Sequence, residues 1–220
     1  MNPTTAILFF SRTAAAEATL KFGRHGTDGR RLAAGLITRT RHTLRRSGLP
    51  VFRCDERQQS GATFGERITH SLEGIFARGY RHVIVVGNDC PELTAALLRS
   101  AAQSLHAGQS VIGRDGRGGI YLLGISRNDF DAPALRAVRW QSPYLADDLC
   151  NLLRRARETC ALRDLNRMKD LRAHWQRWKH LLGRLSCLVH PPELPPRTKL
   201  SVTERTAHRR DAGRAPPVAA

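Results

Sequence analysis

An α/β domain with a mainly parallel sheet is predicted by three features of the sequence. Short β-rich apolar runs alternate with segments whose apolar residues recur at helical spacing, the pattern that right-handed crossovers produce. The run Val83-Ile84-Val85-Val86 is apolar at every position, as a strand covered on both faces must be. The chain has 220 residues, enough for one sizeable core and too few for two independent domains of ordinary size.

The elements follow in order. Thr5 to Phe10 is a short apolar run bounded by polar residues and reads as a buried strand. A long loop is predicted after it. From Asp28, Leu32, Leu36, Ile37, Thr40 and Leu44 share one helical face, with arginines mostly on the other; Ser47-Gly48 ends this helix. Pro50 to Arg53 predicts a second strand, and Phe64, Ile68, Leu72, Ile75 and Phe76 a helix closed by Gly79. After the Val83–Val86 strand, Thr94 is placed to cap a helix carrying Leu97, Leu98, Ala101 and Leu105. Ser110 to Gly113 and Ile120 to Ile125 read as strands joined by the turn Arg114 to Gly119. Then come a helix over 144–157, a short strand near Thr159 to Leu162, and an amphipathic helix over 166–182.

The expected domain is therefore 1–182. Residues 183–220 hold Pro191-Pro192, Pro195-Pro196 and Pro216-Pro217 among Arg, Thr and Ala, and this basic, proline-rich tail is expected to be disordered.

With 41% hydrophobic and 25% charged residues, the body has the composition of a globular protein. The net charge of +17 raises the question of nucleic acid, since clustered cations bind polyanions by releasing counterions. Arginine dominates, however, with lysine only at Lys21, Lys169, Lys179 and Lys199, and the charge is spread along the chain. Cys54, Cys90, Cys150, Cys160 and Cys187 form no C-x-x-C pair and have no zinc-type histidine spacing, so reduced thiols and a cytoplasmic location are expected. The N-terminal apolar run lacks a basic leader and is too short for a signal peptide, and no stretch reaches the ~20 apolar residues of a membrane span.

The segment richest in chemistry is Val83-Ile84-Val85-Val86-Gly87-Asn88-Asp89-Cys90-Pro91-Glu92-Leu93-Thr94. A buried strand stops at a glycine and delivers a carboxylate just before a helix, at the strand end where ligands bind in open α/β sheets. Gly87 permits close backbone approach, and Asp89 is placed to hold a divalent cation bridging nucleotide phosphates. An Asp there also serves simply to order a strand-to-helix turn, and both readings stand.

Asn88-Asp89-Cys90-Pro91-Glu92-Leu93-Thr94 resembles the G-[ST]-D-C-P-x-L-T signature of an uncharacterised bacterial family of GT-A-like glycosyltransferases, also called selenodomain-associated transferases. Further matches come in order. Ile112-Gly113 through Gly118-Gly119-Ile120-Tyr121-Leu122-Leu123-Gly124 resembles the family's L-G-P…D-G-G-Y-Y-L-L-G hairpin. Trp140-Gln141-Ser142-Pro143 resembles its W-S-T-P, Arg163-Asp164-Leu165-Asn166 through Asp170-Leu171 its R-D-V-D-T-P-E-D-L, and Gly65-Glu66-Arg67 part of its L-G-E-R. The resemblance spans roughly residues 4 to 172. It implies a three-layer nucleotide-diphospho-sugar transferase fold, a nucleotide donor or product, and Mg²⁺ or Mn²⁺.

Carried onto this chain, the resemblance makes Asp89 the catalytic and metal-binding carboxylate, with Asp115 and Asp164 as further metal ligands. Arg12, Lys21, Gly87, Asn88, Gly118 and Gly119 are the implied nucleotide or phosphate contacts. The departures are specific. The family's P-x-P-G-x-V-K-T-R-L loop has lost its Pro-Gly element in Ser11 to Gly23, leaving Lys21 and Arg12; its D-G-G aspartate falls on Arg117; its second late aspartate becomes Asn166. Asp115 suits a turn, Asn166 a helix cap, Glu66 a first helical turn, and Trp140 packing, as readily as a site. A helix terminus beside Cys90 would lower its pKa, yet no base accompanies it, and no nucleophile is assigned.

Three functions follow from these residues. The first is a glycosyl- or nucleotidyltransferase using a nucleotide sugar or nucleotide diphosphate, a divalent metal and a small-molecule acceptor. The second is a non-catalytic nucleotide-binding or regulatory protein on the same scaffold. The third, a nucleic-acid binder using the last helix and the basic tail, lacks interleaved aromatic residues and any binding module.

Overall fold

The computed structural model describes residues 4–22 and 26–188. Six strands form one sheet in the order β2-β1-β3-β5-β4-β6. They are β1 (Thr5–Phe10), β2 (Val51–Cys54), β3 (His82–Val86), β4 (Val111–Arg114), β5 (Ile120–Ser126) and β6 (Arg157–Glu158). The helices are α1 (Ala14–Lys21), α2 (Gly26–Ser47), α3 (Phe64–Phe76), α4 (Ala95–His106), α5 (Ala132–Ala137), α6 (Leu145–Leu152), α7 (Met168–Ala173) and α8 (Trp175–Leu182). β1 pairs parallel with β2 and β3, and β4 with β6, whereas β5 runs antiparallel to both of its neighbours.

Alternation along the central strands sorts side chains into two cores, because successive residues of a strand point to opposite faces. Ala6, Leu8, Phe10, Val83 and Val85 pack with Ile68 and Leu72 of α3, Leu135 of α5 and Leu149 of α6. Ile7, Phe9, Ile84 and Val86 pack on the other face with Leu44 of α2 and Leu98 and Leu105 of α4. The result is the three-layer α/β/α sandwich. A third cluster joins Phe22, Leu32 and Leu36 to Leu171, Trp175 and Trp178, so that α7 and α8 lie against α2.

Several expectations are corrected. The loop predicted after β1 contains α1: Thr13 Oγ1 accepts from the Ala16 amide, and the Glu56 carboxylate accepts from the Thr13 amide at 2.7 Å and its hydroxyl at 2.6 Å. The helix predicted over 144–157 ends at Leu152, and the strand predicted at 159–162 pairs instead at Arg157–Glu158. The last helix is broken at His174, and α7 starts after Arg167, not at Asn166. The Asp170 carboxylate accepts from both the Asn166 and Arg167 amides, which removes the capping role expected of Asn166. A 3₁₀ turn at Gly183–Leu188 continues past the expected boundary, with Leu185 against Gly35 of α2. The remainder of the expected tail lies outside the described residues.

The start of α3 is a reciprocal cap. Thr63 Oγ1 accepts from the Glu66 amide while the Glu66 carboxylate accepts from the Thr63 and Ala62 amides, the helix-start role expected of Glu66. Removing that cap by Thr63→Ala is expected to cost about 1 kcal/mol, a fall of about 2–4 °C in Tm for a domain of this size, measurable by calorimetry.

Candidate functional site

A cleft of about 580 Å³ opens over the carboxyl ends of β1 and β3. Its position follows from the topology. β3 delivers Gly87, Asn88 and Asp89 beyond its last buried residue, and β1 delivers Ser11 and Arg12 beside them. The chain after β3 is then tied down. The Asp89 carbonyl accepts from the Leu165 amide at 2.7 Å, Pro91 O accepts from Arg39 Nε at 2.6 Å, and Arg177 Nε donates to Glu92 at 2.6 Å.

The cleft has a charged end and an apolar wall. At the charged end α1 presents Glu17 and Lys21, four residues apart and so on one helical face, to the carboxylate of Asp89. Lys21 Nζ lies 2.5 Å from Asp89 Oδ1 and 3.2 Å from Glu17 Oε2. These are close charge contacts, but neither oxygen receives a hydrogen bond of proper direction. Burial by itself would lower the pKa of Lys21, and the charges of Asp89 and Glu17 outweigh it, so the ammonium form is favoured. Burial raises the pKa of Glu17 despite the opposing Lys21.

Asp164 stands behind this pair. It is 8% exposed, and its Oδ1 has no hydrogen-bond partner. Burial first, then the charges of Asp89 and Asp115, push its carboxyl well above the usual range. A recess of about 30 Å³, close to one water's share of liquid volume, lies among Asp89, Cys90, Tyr121 and Asp164.

The apolar wall is built by Phe10, Phe64, Ile68, Trp140 and Leu145. Phe64 packs edge-on to Phe10 and at a tilt to Trp140. Trp140 both lines the cleft and packs, since its indole N–H donates to Leu135 O at 2.7 Å.

Most of the residues expected at the site therefore share one cleft: Arg12, Lys21, Gly87, Asn88, Asp89, Asp115, Gly119 and Asp164 all line it. Three findings qualify the expectation. Asp115 Oδ1 accepts from the Arg117 and Gly119 amides at 2.7 and 2.9 Å, so the turn engages one of its two oxygens. Gly118 does not line the cleft; its Cα packs against the backbone of Pro143. Burial pushes the Cys90 thiol up, contrary to the lowering expected beside a helix terminus.

Sequence reasoning missed Glu17 and the placement of Arg117. Glu17 lay in the expected loop, although its four-residue spacing from Lys21 was a helical signal. Arg117 donates to the Asp164 carbonyl at 2.6 Å and pairs with Asp170 at 3.4 Å, bringing a guanidinium to the cleft where the resembling family has an acid.

The hard oxygens of Asp89 and Asp164 around the small recess are of the type that Mg²⁺ or Mn²⁺ takes. Among the described residues, no three His, Cys, Asp or Glu side chains stand close enough to hold one ion. These residues thus fit a divalent cation only if Lys21 leaves Asp89 and a ligand supplies further oxygens.

The layered fold with a cleft at the strand ends is the arrangement in which open α/β sheets bind ligands. Residues 36–142, a little under half of the chain, match the family described as "Uncharacterized protein conserved in bacteria (DUF2064)". The match includes the Asn88–Thr94 segment and the β4–β5 hairpin, and the chain is similar to this uncharacterised bacterial family, as its motifs indicate.

Among solved structures, a candidate nucleotide-diphospho-sugar transferase from Desulfovibrio desulfuricans G20 superposes with a TM-score of 0.74 at 19% identity, covering 86% of this chain and 97% of that one. Two others align less closely. Rv0371c from Mycobacterium tuberculosis H37Rv gives 0.43 at 16% identity (83% and 100% covered). A cytidylyltransferase from Leptospira borgpetersenii serovar Hardjo-bovis gives 0.44 at 12% (86% and 93%). No curated protein matches the chain. The likeness at 0.74 establishes the fold. Among the described residues, no helix is long and apolar enough to cross a membrane.

Proposed function

We propose that the chain is a transferase that moves a glycosyl or nucleotidyl group from a nucleotide sugar or nucleotide diphosphate, with the diphosphate bound at the charged end of the cleft. The observation that carries this reading is the meeting of Asp89, Lys21 and the recess beside the buried Asp164 at the ends of β1 and β3, in a cleft large enough for a nucleotide. Exposed Gly87 allows a phosphate to approach the backbone, and Arg12, Lys21 and Arg117 supply positive charge around it. Asp89 and Asp164 would hold Mg²⁺ or Mn²⁺, which supplies neutralisation of the diphosphate's charge. What the protein's own groups contribute is positioning and fixed electrostatics in a partly desolvated cleft. The apolar wall of Phe10, Phe64 and Trp140 offers flat faces to a nucleobase or acceptor.

The test is a thermal-denaturation panel of nucleoside diphosphates and nucleotide sugars, with and without Mn²⁺. A ligand at about 100 times its Kd is expected to stabilise the fold by about 2.7 kcal/mol, and by less when Mn²⁺ is withheld. A panel that leaves Tm unmoved overturns the reading. Stabilisation without consumption of any donor would favour a non-catalytic nucleotide-binding protein, a second reading supported by the lysine standing on the central carboxylate.

A further inference from the structure

Two carboxylates share one ammonium at the charged end of the cleft, and only one of them is needed to present a carboxylate to a ligand. Glu17 is 3% exposed, and its Oε2 has Lys21 at 3.2 Å and no directed hydrogen bond. An acid buried this deeply is costly unless a charge compensates it. α1 does not require it for initiation, since the Thr13 side chain and Glu56 already satisfy the helix start. Among the described residues its one ion pair is with Lys21, and the charge of Arg12 adds a weaker attraction.

That contact matters because Lys21 Nζ also covers Asp89 Oδ1 at 2.5 Å. A cation or a phosphate-bound cation that takes Asp89 Oδ1 must displace the ammonium. With Asp89 as its sole partner, the displaced lysine would be left unpaired in a buried setting or would swing to solvent. A second anchor one turn earlier on the same helix removes that cost. The ammonium can stay on Glu17 and turn its remaining N–H groups toward a phosphate.

We propose that Glu17 is a positioning residue acting through Lys21: it is the tether that keeps the ammonium in the cleft when Asp89 passes from lysine to ligand. The inference rests on the reading of the cleft as a phosphate site. It adds a residue that neither the motifs nor the family match singles out.

The experiment is a double-mutant cycle on the full chain, with inorganic pyrophosphate plus Mn²⁺ as the probe and titration calorimetry as the readout. Glu17→Gln, nearly isosteric, is expected to weaken pyrophosphate about tenfold, and Lys21→Met to weaken it at least as much. In the Lys21→Met background, Glu17→Gln is expected to have no further effect, since a residue acting through Lys21 has nothing left to act on. Equal losses in both backgrounds, the signature of general charge or structural damage, overturn the tether. So does wild-type affinity in Glu17→Gln. Failure of the wild-type chain to bind pyrophosphate overturns the phosphate-site reading, and the tether with it. If Glu17→Gln does not fold, Glu17→Asp, which keeps the charge but shortens its reach, carries the same cycle with the same outcomes.

Discussion

Replacing Asp89 by asparagine is expected to abolish nucleotide- and Mn²⁺-dependent stabilisation, and any donor turnover, by on the order of 100-fold or more while leaving the fold in place. The two halves of that expectation have separate causes. Asp89 serves the fold through its backbone: its carbonyl accepts from the Leu165 amide, and asparagine keeps that bond. Its side chain faces Lys21 and the Asp164 recess, so the lost charge falls on the cleft alone. Lys21 retains Glu17 as a partner in the variant. Circular dichroism and Tm of the unliganded variant check the first half, and the ligand panel the second. An Asp89→Asn protein that binds or turns over a nucleotide donor as the parent does would remove this carboxylate from the site.

The sheet was legible because its strands carry their burial in their composition. Ala6–Phe10 and Val83–Val86 are apolar on both faces, and both strands lie buried inside the sheet. Thr94 announced its helix because cap chemistry is local: its side chain accepts from an amide three residues on. Strand direction is not local. Nothing in Ile120–Ser126 encodes that it runs against β3, which depends on the short turn after β4 folding it back between its neighbours. The helix α1 was missed for a related reason. Its alanines give helix propensity without apolar periodicity, and its burial comes from docking on α2, with Ala18 and Phe22 beside Gly29.

The same distinction runs through the site. Asp89 could be read because a strand followed by Gly-Asn-Asp places a carboxylate at the sheet's rim whatever the rest of the fold does. The residues around it arrive from distant parts of the chain. Asp164 joins because the segment after β6 is tied to the Asp89 carbonyl, and Lys21 because an unforeseen helix aims it there. Asp115 carried two compatible roles, and the geometry engages one of its oxygens in the turn. Whether a carboxylate meets a ligand or a nearby amide is decided by a few ångströms that sequence spacing does not specify.

Gly118→Ala is expected to be the most damaging single-atom change near the cleft, although Gly118 does not line it. A Cβ at this position would stand far inside van der Waals contact with the Pro143 carbonyl oxygen and 2.7 Å from its carbon, and both are backbone atoms that cannot rotate away. The residue also has φ +87°, which costs an L-amino acid about 1–3 kcal/mol. Overpacking adds about 1–3 kcal/mol more. The combined loss of about 2–6 kcal/mol corresponds to a fall of roughly 5–20 °C in Tm. Gly116→Ala is the control that separates the two causes. Gly116 has φ +74° but nothing within 4 Å of its Cβ position, so only the conformational cost applies and the fall should be a few degrees. Because Gly118 O accepts from the Ala146 amide, displacing Pro143 also moves the segment that carries Trp140 and Leu145 into the apolar wall. Any ligand response surviving in folded Gly118→Ala should therefore be weakened as well. Equal Tm losses in the two glycine variants would show that the hairpin yields to the added atom and that the contact with Pro143 is loose.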